Sequence, residues 1–235
     1  MRKILLLPFL VLLLLNGLAQ DRHEAWLRVN LIHWSTPKKG IGLELHQRTQ
    51  SNYWTEDQNL FRYPMLSIIR PWLFWKINKS WIASYSPISY HGYTTIKNQS
   101  GESDSYTELR TTLGIQRNFK LGSLLNRNRA WYEFRFIDIG SDAFSFSTRL
   151  RVQNVLILPL WKPSEKQQVG YQLANEIFFA QQSSSVSFDH NRLYNALQWK
   201  IGKQEINLGY QWSLHKSGAT TYDRRQLFLN TNFEL

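Results

Sequence analysis

Apolar and polar residues alternate one by one over much of this chain. Three short signatures in its middle show the pattern at its sharpest: Glu108-Leu109-Arg110, Glu133-Phe134-Arg135 and Arg149-Leu150-Arg151 each hold one apolar residue between two charges. In an extended chain, residues two apart share a face and the residue between them points the other way. Leu109, Phe134 and Leu150 therefore face one environment, and the flanking charges face the opposite one. The apolar face continues through Leu113 and Ile115, Tyr132 and Phe136, and Val152, while Thr112, Gly114, Gln116 and Gln153 extend the polar face. A soluble sheet would bury the apolar face in a core. A membrane barrel turns it outward to lipid and points the polar face into a lumen.

The same alternation recurs from end to end. It predicts strands over residues 25–34, 41–48, 62–77, 81–90, 106–118, 130–137, 144–158, 169–179, 190–201, 205–214 and 224–235. Strands of about 9–13 residues match what a tilted membrane strand needs. The connections alternate in length, as the turns and loops at the two ends of an outer-membrane barrel do. The short set is 35–40, 78–80, 119–129, 159–167 and 202–204; the long set is 51–59, 91–105, 181–187 and 216–222. Pro64, Pro71 and Pro87 predict bulges or irregular pairing where they interrupt strands. The predicted fold is all-β: an antiparallel up-and-down transmembrane β-barrel of ten to twelve strands. Eleven can be counted, yet single-chain bacterial barrels have even numbers. Either 25–34 is then not a full wall strand, or 62–77 hides a break.

The N-terminus favours the membrane reading. Arg2 and Lys3 precede an apolar run, and Gly17-Leu18-Ala19 follows with small residues. That run is too short to span a bilayer and reads as a secretory signal peptide. The expected organisation is a signal peptide over 1–19 and one outer-membrane β-barrel domain over 20–235. An exported chain without cysteine cannot use disulfides, so its stability must come from burial or from closing its sheet. Ten Trp, eleven Tyr and thirteen Phe sit mostly near the ends of the alternating stretches, where amphipathic rings anchor a barrel at the bilayer interface. A net charge of +11 would suit nucleic acid, but export excludes that partner. The excess is assigned to lumen, loop and rim, in contact with anionic head groups. The expected partners are outer-membrane lipid, including lipopolysaccharide, and the barrel-assembly machinery during insertion.

Read in order, Glu108-Leu109-Arg110, Trp131-Tyr132-Glu133-Phe134-Arg135, Arg149-Leu150-Arg151 and Leu208-Gly209-Tyr210, with the early Trp26 and the Arg70-Pro71 pair, resemble an uncharacterised family of Gram-negative outer-membrane β-barrels, domain of unknown function 2490. The resemblance covers nearly the whole mature chain. It implies an outer-membrane barrel without an assigned activity and supplies no catalytic residue. The chain departs from the usual barrel ending by closing on Leu235 rather than Phe.

The polar face defines the candidate chemistry. Glu44, Glu108, Glu133, Glu176 and Glu205 should face the lumen together with Arg48, Arg110, Arg135, Arg149, Arg151 and Arg192. Five acids against six bases is nearly balanced, and buried charges are costly unless paired. Two readings follow: a structural salt-bridge network, or a charged constriction that passes or binds a small solute. A third class, an outer-membrane lipid hydrolase, would need a serine and a histidine on the outer wall. His46, His91, His190 and His215 are the histidine candidates, with Ser86 and Ser89 near His91 and Ser187 near His190, none in a recognisable motif. No cluster has zinc-like spacing and no glycine-rich phosphate loop is present, so neither a metal nor another cofactor is expected.

Overall fold

Each alternating stretch pairs with its neighbour in sequence, because a short connection lets antiparallel strands satisfy one another's backbone groups at once. A computed structural model describes residues 22–138, 140, 144–182, 185–217 and 220–235. The signal segment lies outside these residues. Eleven strands follow in order: β1 Arg22–Trp34, β2 Lys39–Gln50, β3 Tyr63–Lys76, β4 Trp81–Ile96, β5 Ser103–Leu121, β6 Leu124–Asp138, β7 Ser145–Ser164, β8 Gln167–Gln182, β9 Ser185–Ile201, β10 Gln204–Ser217 and β11 Thr220–Glu234.

The sheet closes on itself. Ten contacts are antiparallel, and the eleventh joins β1 to β11 in parallel, from Arg22 opposite Arg224 to Ile32 opposite Glu234. The parity expectation gives way here. Residues 22–34 form a full wall strand, 62–77 holds one strand, and an odd count is accommodated by parallel closure. Three register shifts fall where the prolines predicted them: at Arg48/Thr49 opposite Pro64, at Ile69/Leu73 around Pro71 and at Ser86/Ser89 around Pro87. A proline has no N–H to give the ladder, so the strand shifts past it. Others lie at Pro159/Trp161, at Trp161/Ser164 and, with no proline beside it, at Phe178/Phe179.

The strands tilt steeply. Lateral partners followed from Trp34, at the turn end of β1, pass through Gly40, Phe74, Ser84, Gly114, Trp131, Arg151, Phe178 and His190 to His215, near the opposite end of β10. Tilt of this kind closes a barrel around packed side chains, at roughly 35–45° to the axis in such folds. Several connections hold more strand than expected. Between β7 and β8 only Glu165 and Lys166 remain as turn, and 181–182, 185–187, 216–217 and 220–222 are strand. The turn between β5 and β6 needs only Gly122 and Ser123, so 119–121 and 124–129 are strand. The polar stretch 91–105 is mostly strand as well, with β4 reaching Ile96 and β5 starting at Ser103. Ladder hydrogen bonds satisfy a Ser- or Thr-rich backbone as well as any other, so composition marks a hairpin without marking where its pairing stops.

The two faces segregate as the alternation requires. Leu27, Ile41, Leu43, Leu45, Leu113, Ile115, Leu150, Val152, Leu197 and Leu208 point outward and are exposed. Glu108, Thr112, Glu133, Gln211 and Ser213 point inward and are fully buried. The outer wall has polar interruptions, among them Ser67 donating to Gln47 at 2.6 Å and a row of asparagines. Asn128, Asn154 and Asn175 lie side by side on β6, β7 and β8, with Asn154 donating to Asn126 at 3.2 Å and Asn175 donating to Asn191 at 2.7 Å. At the loop end, residues 51–62 pack over β4. Asn52 donates to the Gln99 carbonyl at 3.0 Å, Trp54 Nε1 donates to the Ile96 carbonyl at 3.1 Å, and Tyr53 donates to that same carbonyl.

Candidate functional site in the barrel lumen

The lumen is built by parity. Each strand sends every second side chain inward, and the register sets which charges meet. Glu133 on β6 lies directly opposite Arg149 on β7 and two positions diagonal to Arg151. Its carboxylate takes Arg149 Nη2 at 2.6 Å and Arg151 Nη1 at 2.9 Å, with Arg110 Nη1 at 3.8 Å. Glu108 on β5 is held by Arg110 from its own strand and by Arg135 of β6 at 2.6 Å. On β8, Glu176 takes Arg151 Nη2 at 2.7 Å, Arg192 Nη1 at 3.7 Å and the Tyr194 hydroxyl. One chain of contacts thus runs Arg135–Glu108–Arg110–Glu133–Arg149/Arg151–Glu176–Arg192, across β5 to β9. Each of its glutamates is shared by two or more guanidiniums, which suits the planar, multi-donor fork of arginine.

Three of the sequence candidates stand apart from this chain. Glu44 faces Arg70 at 3.9 Å and accepts from Trp72 Nε1 at 3.3 Å. Arg48 lies 4.0 Å over the Trp26 ring and donates to His46 Nε2 at 3.2 Å. Glu205 accepts from Asn207 at 3.1 Å and Asn232 at 3.2 Å. The lumen is also more cationic than the near balance expected from sequence. Arg28, Arg70, Arg127, Arg129 and Arg224 also line it, against two further acids, Asp189 and Glu234, while the buried Glu24 meets Arg224 at 3.4 Å. Counting inward by twos from Arg135 finds Arg129 and Arg127 once it is known that β6 begins at Leu124. Arg70 was hidden by the proline beside it.

The four candidate histidines are interior residues. Ser89 Oγ lies 3.0 Å from His91 Nε2, and both are buried inside the wall, away from the outer surface that a lipid hydrolase would need. Arg70 also reaches His91 Nε2, at 3.2 Å. A guanidinium only donates, so that nitrogen is an acceptor and the proton sits on Nδ1. Ser187 is exposed, and His190 lies instead 3.1 Å from Asp189 and stacks between Phe178 and His215, at 3.7 and 4.4 Å between ring centroids.

Alongside the charge network, a cavity of about 590 Å³ remains, within the range of small-molecule sites. Its lining runs from Trp34, Ile82 and Glu234 near the turn end to Tyr106, Asp189 and Arg224 nearer the loops. The network therefore fills the β5–β9 side of the lumen rather than all of it. One wall is aromatic: Trp72 and Trp131 stack at 5.7 Å, and Phe74 stacks on Trp72 at 6.0 Å. Gly114 makes this wall possible, because a Cβ there would collide with the Trp131 ring and with Ser84 Oγ.

A family model described as a protein of unknown function, DUF2490, matches residues 23–224. The chain belongs to the DUF2490 family. The match starts within β1 and ends at the fifth residue of β11, so it spans ten strands of this DUF2490 member and stops where the parallel seam begins. A search of curated proteins finds no match to it, and a search of solved structures finds none either. For this DUF2490 barrel, the lumen is thus the ground on which function has to be argued.

Proposed function

We propose that this protein is an outer-membrane barrel of Gram-negative type whose lumen is closed to bulk flow by its own charges, and that it holds or contacts a partner rather than conducting one. The observation that carries this is the shared-glutamate network. Glu108, Glu133 and Glu176 are each essentially fully buried and each bridges at least two arginines on different strands. Such groups lock neighbouring strands together and leave no wide aqueous path in a barrel of this size.

Two surface features support the membrane setting. The wall exposes Leu, Ile, Val, Phe and Trp as a lipid-facing band would. At each of the five short turns, lysine stands in the turn or in the flanking strand end with an aromatic close by in sequence: Lys38 and Lys39 with Trp34, Lys76 and Lys79 with Trp75 and Trp81, Lys120 with Phe119, Lys162 and Lys166 with Trp161, Lys200 and Lys203 with Trp199. Lys76 Nζ lies 3.6 Å over the Trp34 ring. A lysine collar above an aromatic belt fits anionic lipid head groups at one membrane face. The test is fractionation of cells expressing the full chain, followed by planar-bilayer recording of the purified barrel. Recovery with the outer membrane, heat-modifiable migration and no steady conductance are expected. Recovery as a soluble periplasmic protein overturns the membrane reading, and a stable open conductance overturns the closed lumen.

A further inference from the structure

The arginines of the lumen differ in their partners: Arg70 and Arg224 each have a glutamate of their own, and Arg48 lies on Trp26. Those on the β5–β9 network share glutamates. Arg28, Arg127 and Arg129 line the cavity, and among the described residues none has a carboxylate within ion-pair distance. The nearby acids are already engaged: Glu44 with Arg70 and Trp72, Glu176 with Arg151 and Arg192, Glu205 with two asparagines. Arg127 and Arg129 stand two apart on β6 and so share its inward face, and Arg28 of β1 lines the same cavity, so three like charges face one space. The Nε of each is buried without a hydrogen-bond partner among the described residues. So are Asn230 Oδ1 and Gln153 Oε1, which line the same cavity, and Asn230 is only 6% exposed.

Three clustered cations with no counterion, unused amide groups, and an aromatic wall made by Trp72 and Trp131 define a ligand. The charge calls for an anionic group, phosphate or carboxylate, which arginine binds through paired N–H bonds. The amides suit hydroxyl groups, and the stacked indoles suit the flat face of a ring. We propose that the cavity between Arg28, Arg127 and Arg129 is a binding site for a small organic anion, a phosphate or carboxylate carried on a hydroxylated ring. This deepens the closed-lumen reading and rests on it: a site for a held ligand in a barrel that does not conduct.

The experiment is isothermal titration of the full barrel in detergent with four probes: inorganic phosphate, glucose 6-phosphate, glucuronate and glucose. Glucose 6-phosphate and glucuronate should bind saturably and lose affinity as sodium chloride is raised, while glucose gives no heat of binding. Phosphate alone should bind more weakly than glucose 6-phosphate, since it has no ring for Trp131. Arg129→Gln and, separately, Arg127→Gln should weaken the sugar anions at least about tenfold, the effect of losing roughly 1.4 kcal/mol. Lys203→Gln, at a turn tip, should bind as the wild type does. Heat-modifiability checks that each variant is folded. Should either arginine variant not fold, the other variant and the salt dependence of the wild type carry the test. Absence of saturable binding by every anionic probe overturns the proposal, as does equal binding of glucose or unchanged affinity in a folded arginine variant. Planar-bilayer conductance is read on the same samples. A non-conducting barrel that binds no anion removes this site and leaves the closed lumen standing, whereas a conducting one removes the reading beneath it.

Discussion

Glu133 is the residue on which the lumen network turns. It is fully buried and, among the described residues, is the one carboxylate that meets three guanidiniums, those of Arg110, Arg149 and Arg151. Glu133→Gln keeps the shape and one acceptor but removes the charge. The consequences differ among its partners. Arg151 keeps Glu176 at 2.7 Å, and Arg110 keeps Glu108. Arg149 keeps only Asp189, at 3.6 Å. The loss is therefore concentrated on Arg149, left as a buried cation without a close counterion. Breaking a buried pair from one side costs about 3–5 kcal/mol, and water in the adjoining cavity lowers the figure toward the bottom of that range. With a urea dependence of about 1–3 kcal/mol per molar, the unfolding midpoint should fall by roughly 1–3 M. Arg149→Gln on its own should destabilise less than Glu133→Gln, by removing one ion pair while Arg151 at 2.9 Å and Arg110 at 3.8 Å still neutralise Glu133. The double variant, neutral at both positions, should recover much of the loss. The assay is urea unfolding of the refolded barrel in lipid vesicles, followed by tryptophan fluorescence, across the full double-mutant cycle. An unchanged midpoint in Glu133→Gln refutes the argument, and so does a double variant whose loss is the plain sum of the two singles.

Three further outcomes are expected. Leu208→Arg places a charge on the outward face, where Leu208 is 54% exposed, and should cost about 2–4 kcal/mol near the bilayer midplane, whereas Gln153→Glu, a charge facing the cavity directly opposite Arg129, should cost much less; equal effects on refolding yield into vesicles would show the faces to be misassigned. Gly209→Val should abolish assembly, since even a Cβ at this position collides with the Asn195 carbonyl and with Ala196; the readout is loss of the heat-modifiable band. In loop 51–62, the Asn59 N–H and Arg62 hold the Asp57 carboxyl below the usual aspartate range, so the order they give the loop is present above that range and is lost as pH falls through the depressed value; fluorescence of Trp54 should report it, and Asp57→Asn should lack the transition.

Alternation with period two was enough to read the all-β class, the outward set that includes Leu208, and the inward set that includes Glu108, Glu133 and Glu176, because in a strand the face of a side chain depends only on parity. The placement of three bulges was legible too, since Pro64, Pro71 and Pro87 cannot donate to a ladder wherever they stand. What parity could not supply was register between strands and the way the ring closes. The count of eleven was in the sequence, but only the closed sheet pairs β1 with β11 in parallel, a contact between residues more than two hundred positions apart that no local pattern encodes. The ion-pair partners had the same dependence. That Glu133 serves Arg149 and Arg151, while Glu176 serves Arg151 and Arg192, follows from hydrogen-bonded register and strand tilt. Arg127 and Arg129 were misread because a polar run of Asn and Arg looks like a loop, and only the two-residue turn at Gly122 and Ser123 turns it into wall. The cationic cavity exists because those two arginines, brought inward by that turn, meet Arg28 from the far side of the parallel seam.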